Sequence, residues 1–260
     1  MTGRQIMHAR RDILKSVGVL PLAAVLACPM RAQAAASTLS EISLTLSGGD
    51  IVKAAIAYPN VTPAPAVLLI HEWWGLNNQI KAVAAELARM GYVAIAVDLY
   101  DGNVAKTPDD ARKYMKMVAA DKAMETLKSW VDWSRSNQKT TDKLATIGWC
   151  FGGGWSLNAS IGSSVDATII YYGNVARNVA DLKNLNGPVL GHFAMQDKWI
   201  NQNMVGEFYS EMQKAGQPIP EIHWYDADHA FANPSGGRYD EEDAKLSWER
   251  TTEFLKLHLS

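Results

Sequence analysis

The chain has 260 residues, of which 48% are hydrophobic and 20% charged, and this composition is typical of a globular protein with one domain or at most two small ones. Its formal net charge is −2, so it lacks the basic surplus that displaces counterions from nucleic acid. We therefore expect no nucleic-acid partner.

The N-terminal segment has the organisation of an export signal. Residues 9–15 resemble the twin-arginine motif, and they precede an apolar stretch over residues 17–27 that is too short to be a stable membrane span. The small residues of a cleavage site, Ala-Gln-Ala, end at Ala34. We predict that residues 1–34 are a signal recognised by the twin-arginine export machinery and cleaved after Ala34 or Ala36. The alternative is an N-terminal amphipathic helix.

Cleavage at this place would leave a mature chain with one cysteine. Cys28 would leave with the signal, and Cys150 would remain in the single domain that we predict over residues 35–260, so no internal disulfide could form. A lone thiol is a liability in an oxidising compartment, which favours a functional role for Cys150. We predict a periplasmic or secreted protein; a lipid anchor on Cys28 is an alternative.

The rest of the chain predicts a doubly wound α/β sheet with a leading β-hairpin. Residues 42–58 alternate around a Gly-Gly-Asp turn, as in a hairpin, and residues 66–70 form a continuous apolar run of the kind buried in parallel sheets. Strands and helices then alternate, so active-site loops are expected at the carboxyl ends of the strands. The predicted elements are helix 77–90, strand 92–97, a helical region 109–136 with a break near residue 120, strand 144–149, helix 154–161, strand 165–172, strand 188–193, helix 204–215, strand 222–225 and helix 240–259.

The sequence Gly-Trp-Cys-Phe-Gly-Gly at residues 148–153 joins a predicted strand to a predicted helix. It resembles the G-x-nucleophile-x-G elbow of α/β-hydrolases, with Cys150 in the nucleophile position. A helix N-terminus favours the thiolate form of a cysteine, and the backbone N–H of Phe151 would lie where a substrate carbonyl oxygen becomes negative. The alternative is a small buried cysteine in a glycine-rich turn.

Two further residues follow Cys150 in the chain order of α/β-hydrolases, which is nucleophile, acid and histidine. Asp197 comes after strand 188–193, and His229 comes after strand 222–225. His229 would accept the thiol proton or pair with the thiolate, and Asp197 would orient the imidazole. The alternatives are a helix N-cap for Asp197 and an ordinary loop histidine for His229.

A metal site is a further possibility that the sequence does not favour. His223, Asp226, Asp228 and His229 carry groups that ligate metals, but no paired histidine motif accompanies them. We therefore expect no metal ion and no cofactor.

Several motifs together resemble the dienelactone hydrolases, or carboxymethylenebutenolidases, over nearly the whole predicted mature chain. These motifs are the elbow at 148–153, His-Glu-Trp-Trp-Gly-Leu-Asn at 71–77, Gly-Tyr at 91–92, Asp-Leu-Tyr at 98–100 and Ala-Asp-His-Ala-Phe at 227–231.

This resemblance implies an α/β-hydrolase fold and a triad of Cys150, Asp197 and His229. It also implies that Glu72 contacts the resting thiol and takes its proton when substrate binds, and that the N–H of Trp73 is the second oxyanion donor. The family enzymes that act on dienelactone have arginines where this chain has Gly102 and Asn233. The dienelactone substrate itself is therefore in doubt.

The predicted function is hydrolysis of a small-molecule lactone or activated ester through a thioester acyl-enzyme. The alternatives are a thioesterase or acyl transferase on the same fold, and a non-catalytic periplasmic binding protein on a hydrolase scaffold. The residues predicted to line an apolar substrate pocket are Trp74, Tyr100, Trp199, Phe231 and Asn233.

Overall fold

Eight strands form one sheet in the computed structural model, which describes residues 22–260. The predicted α/β sheet with a leading hairpin is confirmed. The described elements are α1 (Leu22–Leu26), α2 (Pro29–Ala36), β1 (Ser40–Thr45), β2 (Ile51–Ala57), β3 (Ala64–Ile70), α3 (Asn78–Arg89), β4 (Val93–Val97), α4 (Pro108–Met117), α5 (Ala120–Ser136), β5 (Thr140–Trp149), α6 (Phe151–Gly162), β6 (Ala167–Tyr171), α7 (Val179–Leu182), β7 (Val189–Ala194), α8 (Gln202–Lys214), β8 (Glu221–Tyr225) and α9 (Glu241–Leu259).

The strands lie in the order β1-β2-β4-β3-β5-β6-β7-β8. The hairpin pairs β1 with β2, and β2 runs antiparallel to β4, whereas every other neighbouring pair is parallel. The carboxyl ends of β3, β4, β5, β7 and β8 therefore meet at one edge of the sheet, where the loops that follow these strands lie side by side.

Both faces of the sheet are buried, which explains the continuous apolar run of β3. Val67 and Leu69 belong to the core cluster that α3 and α9 cover, and Leu68 and Ile70 belong to the cluster that α5 covers on the other face. All four side chains are fully buried. Because neighbouring residues of a strand point to opposite faces, a strand with helices on both sides has to be apolar at every position.

Local signals explain most helix boundaries. Thr107 accepts a hydrogen bond from the Asp110 N–H and Pro108 follows it, which starts α4. Extended backbone at Val118 and Ala119 separates α4 from α5, at the break predicted near residue 120. The short helix α7 was not predicted, because its single turn is too brief to show a periodic pattern.

The predicted signal lies partly outside the described residues. The twin-arginine motif and residues up to 21 fall there, whereas the remainder forms α1 and α2, which pack on α3. Ala32, beside the predicted cleavage site, is buried in this packing. Within residues 22–260, no helix has both the length and the apolar character that a membrane span requires.

Candidate active site

Cys150 lies at a strained turn between β5 and α6. Its φ is 53° and its ψ is −115°, a conformation that costs energy for a residue with a side chain. The turn is tight enough to require glycine on both sides: a Cβ on Gly148 would lie 2.0 Å from the Gly152 carbonyl oxygen, and a Cβ on Gly152 would lie 2.2 Å from the Ile70 carbonyl oxygen. Helix α6 begins at Phe151, three residues before the predicted start, because the turn leads directly into it.

The structure brings together the three residues predicted as a triad. His229 Nε2 lies 3.2 Å from Cys150 Sγ, and His229 Nδ1 lies 2.6 Å from Asp197 Oδ2. Asp197 follows β7 and His229 follows β8, so neighbouring strand ends position both side chains. The Asp197 side chain is fully buried, and that of His229 is 9% exposed. Charge-assisted hydrogen bonds are strong in such a shielded place.

The hydrogen bonds of this group favour a charged pair. Burial opposes a negative charge on Asp197, but the hydrogen bonds from His229 and from two backbone N–H groups hold the pKa of its carboxyl below the usual range. Burial likewise opposes a positive charge on His229. Its hydrogen bonds to Asp197 and Cys150, together with the electrostatic attraction of these two groups, nevertheless raise the imidazole pKa to about 10. An imidazolium beside the sulfur stabilises the thiolate, which is the attacking form of cysteine.

Glu72 follows β3 and is 6% exposed, and within residues 22–260 its carboxylate oxygens are hydrogen-bonded to Tyr172 and Asn233 rather than to the Cys150 thiol that the family resemblance implied. Its Oε1 accepts a hydrogen bond from Tyr172 Oη at 3.1 Å, and its Oε2 accepts one from Asn233 Nδ2. Burial raises the pKa of Glu72, although these two donors act in the opposite direction. The physical reason is that an amide at position 233 reaches Glu72 and holds it, while the Cys150 sulfur bonds to His229.

Two backbone N–H groups, in the loop after β3 and at the start of α6, have no protein acceptor within residues 22–260. Within residues 22–260, neither the N–H of Phe151 nor that of Trp73 donates to a protein acceptor. The N–H of Phe151 belongs to the first turn of α6, where the helix has no acceptor for it. Trp73 lies in a turn closed by the hydrogen bond from the Gly75 N–H to the Glu72 carbonyl, at 3.1 Å. These are the two positions predicted to form the oxyanion hole.

The predicted pocket residues divide into two groups. Trp199 is 58% exposed and lies edge-on to His229, with ring centroids 5.3 Å apart, and Trp74 is partly exposed beside Trp73. Tyr100 is 4% exposed, while Phe231 has no exposed surface and packs on aromatic rings beneath the site. Phe231 is thus a core residue, because the turn after His229 points its ring inward.

Asn233, the fifth predicted pocket residue, links Glu72 to neighbouring loops. Its Oδ1 accepts hydrogen bonds from Gln79 Nε2 at 3.1 Å and from the Ser235 N–H at 3.0 Å. With its amide oxygen and nitrogen both bonded, Asn233 is fixed in one orientation. Its side chain is available to a substrate only if this network opens.

A largely apolar cavity of about 490 Å³ is lined in part by Glu72 and Tyr172. Helix α1 forms part of its wall through residues from Leu22 to Leu26, and α3 and α9 form most of the rest. The part of the chain predicted to be the end of the export signal therefore lies over this cavity.

Sequence reasoning missed three residues around the site. Tyr172 donates to Glu72, Arg238 stacks over the Trp199 ring at 5.4 Å, and the ring of His71 is fully buried beside Phe151. In the sequence, His71 is only the first residue of the motif at 71–77. No local motif marks Tyr172 or Arg238, because each reaches the site through the packing of a separate loop.

The histidines and carboxylates considered as metal ligands do not form a metal site. In the described part of the chain, no three such residues are grouped closely enough to hold an ion. His223 instead contacts Glu221 at 2.7 Å, and the buried His192 bonds to Tyr225 and Thr251.

An eight-stranded, mostly parallel sheet with a cysteine at a strand–turn–helix elbow, followed by an acid and a histidine at later strand ends, defines this protein as an α/β-hydrolase. The sequence model of the dienelactone hydrolase family matches residues 52–259. The chain therefore belongs to the dienelactone hydrolase family, and it is a carboxylic ester or lactone hydrolase.

Individual relatives agree with this assignment. Protein usf of Aquifex pyrophilus is 31% identical over 222 residues, covering 82% of this chain and 96% of the relative. The carboxymethylenebutenolidase of Pseudomonas putida is 25% identical over 228 residues, covering 82% and 94%. A crystal structure from Klebsiella pneumoniae, assigned as a dienelactone hydrolase, superposes with a TM-score of 0.74 at 25% identity and covers 84% of this chain and 98% of that one.

Proposed function

We propose that this protein is an exported cysteine hydrolase that cleaves lactones or activated esters through a thioester acyl-enzyme. The observation that carries the proposal is the contact of 3.2 Å between Cys150 Sγ and His229 Nε2, at a strained turn, with Asp197 bonded to the far side of the imidazole. A nucleophile, a base and a group that orients the base are thus within bonding reach of one another.

The reaction divides into acylation and deacylation. The Cys150 thiolate attacks the carbonyl carbon, and the N–H groups of Phe151 and Trp73 bind the negative oxygen of the tetrahedral intermediate. The C–O bond of the leaving group then breaks, and His229 Nε2 gives its proton to the departing oxygen. In deacylation His229 takes a proton from water, the hydroxide attacks the thioester, and the C–S bond breaks to release the thiolate and a carboxylic acid, which then gives its proton to solvent.

Glu72 has a supporting role in this proposal. Tyr172 and Asn233 bond its two carboxylate oxygens, so the carboxylate is held as a fixed wall of the site. His229 is already bonded to the sulfur and serves as its base. Activation of the thiol therefore needs no movement of Glu72 when substrate binds.

The preferred substrates carry a good leaving group. A thiolate leaves a tetrahedral intermediate more readily than an alkoxide does, so an ordinary alkyl ester returns to starting material. An enolate or a phenolate competes well with the thiolate as leaving group. We therefore expect enol-lactones and aryl esters to be turned over and simple ethyl esters to be poor substrates.

The recognition of a substrate anion is expected to differ from that in dienelactone enzymes with two arginines. Gly102 has a φ of 86° in a turn held by Asp98, a conformation that disfavours arginine there. Arg238 places its guanidinium over the Trp199 ring, which lies edge-on to His229, and forms no ion pair within residues 22–260. We propose that Arg238 attracts substrates that carry a carboxylate.

The decisive test is hydrolysis of an enol-lactone and an aryl ester by the purified protein and its Cys150→Ala variant. We expect turnover in the native protein and loss of it in Cys150→Ala. Equal turnover in the native protein and Cys150→Ala would refute the proposal. No turnover in either would favour the non-catalytic binding protein.

Export is tested separately. We propose that residues 1–34 direct the folded protein through the twin-arginine route and are then removed. Cell fractionation should find the native chain in the periplasm or medium, with a new N-terminus at Ala35 or Ser37. The Arg10→Lys, Arg11→Lys double variant should remain inside the cell at full length, and export of this variant would contradict the proposal.

A further inference from the structure

His71 is bonded through both ring nitrogens to backbone atoms of the active-site loops. Its Nε2 accepts a hydrogen bond from the Leu99 N–H at 3.2 Å, so its Nδ1 carries the proton and donates to the Glu72 carbonyl at 2.6 Å. The ring has no exposed surface, and burial lowers its pKa, which is consistent with a neutral imidazole. The partners of His71 therefore fix both its tautomer and its orientation.

The bond from His71 determines how the next peptide group is turned. In a trans peptide the C=O of Glu72 and the N–H of Trp73 point in opposite directions. The Glu72 carbonyl accepts from both the His71 ring and the Gly75 N–H, so it is held toward the turn. The N–H of Trp73 is thereby held on the opposite side, where it has no protein acceptor within residues 22–260.

The same ring also supports the other oxyanion donor. His71 stacks on Phe151, with ring centroids 5.8 Å apart and planes inclined by 20°. A Cβ on Gly152 would lie 2.5 Å from the His71 carbonyl oxygen, so the loop after β3 and the start of α6 are in close contact. His71 therefore touches both Phe151 and the peptide that carries the Trp73 N–H.

We propose that His71 is a positioning residue that aligns the two halves of the oxyanion hole, through its hydrogen bond to the Glu72 carbonyl and its stacking on Phe151. This inference deepens the proposed function and rests on it. Two properties of the site then depend on different histidines. The alignment of the oxyanion hole depends on His71, whereas the reactivity of the Cys150 sulfur depends on His229.

The experiment measures these two properties in one protein preparation. Rapid-mixing measurements of the phenolate burst from an aryl ester report acylation, which needs the oxyanion hole. The rate of Cys150 alkylation by iodoacetamide reports the thiolate, and this reaction at a saturated carbon develops no oxyanion. Three variants are compared, His71→Phe, His71→Asn and His71→Gln, with thermal unfolding as the check on folding.

We expect His71→Phe, which keeps a ring but loses both hydrogen bonds, to acylate about 10- to 100-fold more slowly, since loss of one oxyanion donor lowers kcat by a comparable or larger factor. KM and the alkylation rate should stay close to native values. His71→Asn, whose amide can still donate to the Glu72 carbonyl, should recover much of the acylation rate. His71→Gln, which places its amide farther along the side chain, should recover less.

Each other outcome overturns the inference. Acylation and alkylation that fall together in a folded variant would indicate a general distortion of the elbow, and unchanged acylation would remove His71 from any positioning role. If His71→Phe does not fold, the comparison rests on the other two variants, and equal acylation rates in His71→Asn and His71→Gln would overturn the inference. Native turnover that survives complete alkylation of Cys150 would instead refute the proposed function itself, which keeps the two failures distinct.

Discussion

The substitution Asp197→Asn tests the triad most directly, because the surroundings of Asp197 determine which way an asparagine must face. Asp197 Oδ1 accepts hydrogen bonds from the N–H groups of Trp199 at 2.8 Å and Ile200 at 3.0 Å, and its Oδ2 bonds to His229 Nδ1. The asparagine oxygen has to stay with the two backbone donors, so its NH₂ group faces the imidazole. His229 Nδ1 then has to be an acceptor, which puts the proton on Nε2, facing Cys150.

An imidazole in this state cannot take the thiol proton, so the variant should lose most of its activity. In a serine protease the corresponding change lowers kcat by about 10⁴-fold. A thiol ionises more readily than a hydroxyl, so we expect a smaller loss here, on the order of 10²- to 10³-fold in acylation. The variant also loses a buried charge-assisted hydrogen bond, which we expect to cost about 2 kcal/mol of the free energy of unfolding.

The stability effect has a defined pH dependence. The pKa of Asp197 in the folded protein lies below its usual value, so its stabilising contribution is present above about pH 4 and is lost as the pH falls through the lower folded value. The difference in Tm between native protein and Asp197→Asn should therefore be larger at about pH 5 than at about pH 3. A constant difference across this range would contradict the lowered pKa.

The assay is the phenolate burst together with iodoacetamide alkylation, with Asp226→Asn as the matched control. Asp226 is an exposed carboxylate after β8, and its change to asparagine should affect neither rate. Alkylation of Cys150 in Asp197→Asn should be slow near neutral pH, because the imidazolium partner is lost. A folded Asp197→Asn protein that acylates within about threefold of the native rate would refute the triad assignment.

Three other substitutions test separate features. Glu72→Gln keeps both hydrogen bonds of the side chain, since the Tyr172 hydroxyl can accept as well as donate. The raised pKa of Glu72 makes the native protein less stable as the pH rises above about 4.5, whereas glutamine does not titrate. The gain in Tm of Glu72→Gln over the native protein should therefore grow toward neutral pH. Gly152→Ala places a methyl group against the Ile70 carbonyl and should destabilise the fold by about 3 kcal/mol or prevent folding, as measured by denaturant unfolding. Arg238→Gln should raise KM for a carboxylate-bearing lactone about tenfold while leaving KM for a neutral aryl ester unchanged.

Controls for these predictions come from the same chain. Gly206→Ala in α8 has no atom near the added methyl group and should stabilise the helix by up to about 1 kcal/mol, so a loss comparable to that of Gly152→Ala would contradict the steric argument. Arg112→Gln removes an exposed arginine from α4 and should leave both KM values unchanged. A Glu72→Gln gain in Tm that is the same at about pH 4 and pH 7 would contradict the raised pKa of Glu72.

The sequence alone predicted the order of the strands and longer helices and the tight turn at Cys150, the proposed nucleophile. A strand buried on both faces has to be apolar throughout, and a backbone turn as tight as that at Cys150 excludes side chains at Gly148 and Gly152. Both requirements are local, so both are visible as short patterns. The chain order of Cys150, Asp197 and His229 followed from the strand ends on which these residues lie.

The tertiary structure decided which side chains meet between loops that lie far apart in the chain. Glu72 and Asn233 are 161 positions apart and Glu72 and Tyr172 are 100 apart, and no periodic pattern reports such pairs. The tautomer of His71 depends on a donor that follows a different strand, Leu99. Sequence patterns report burial and local backbone geometry, whereas hydrogen-bond partners depend on how the loops after parallel strands converge at one edge of the sheet. The turn at Cys150 could therefore be predicted from the sequence, but the contacts that orient Glu72, Arg238 and the loop after β3 could not.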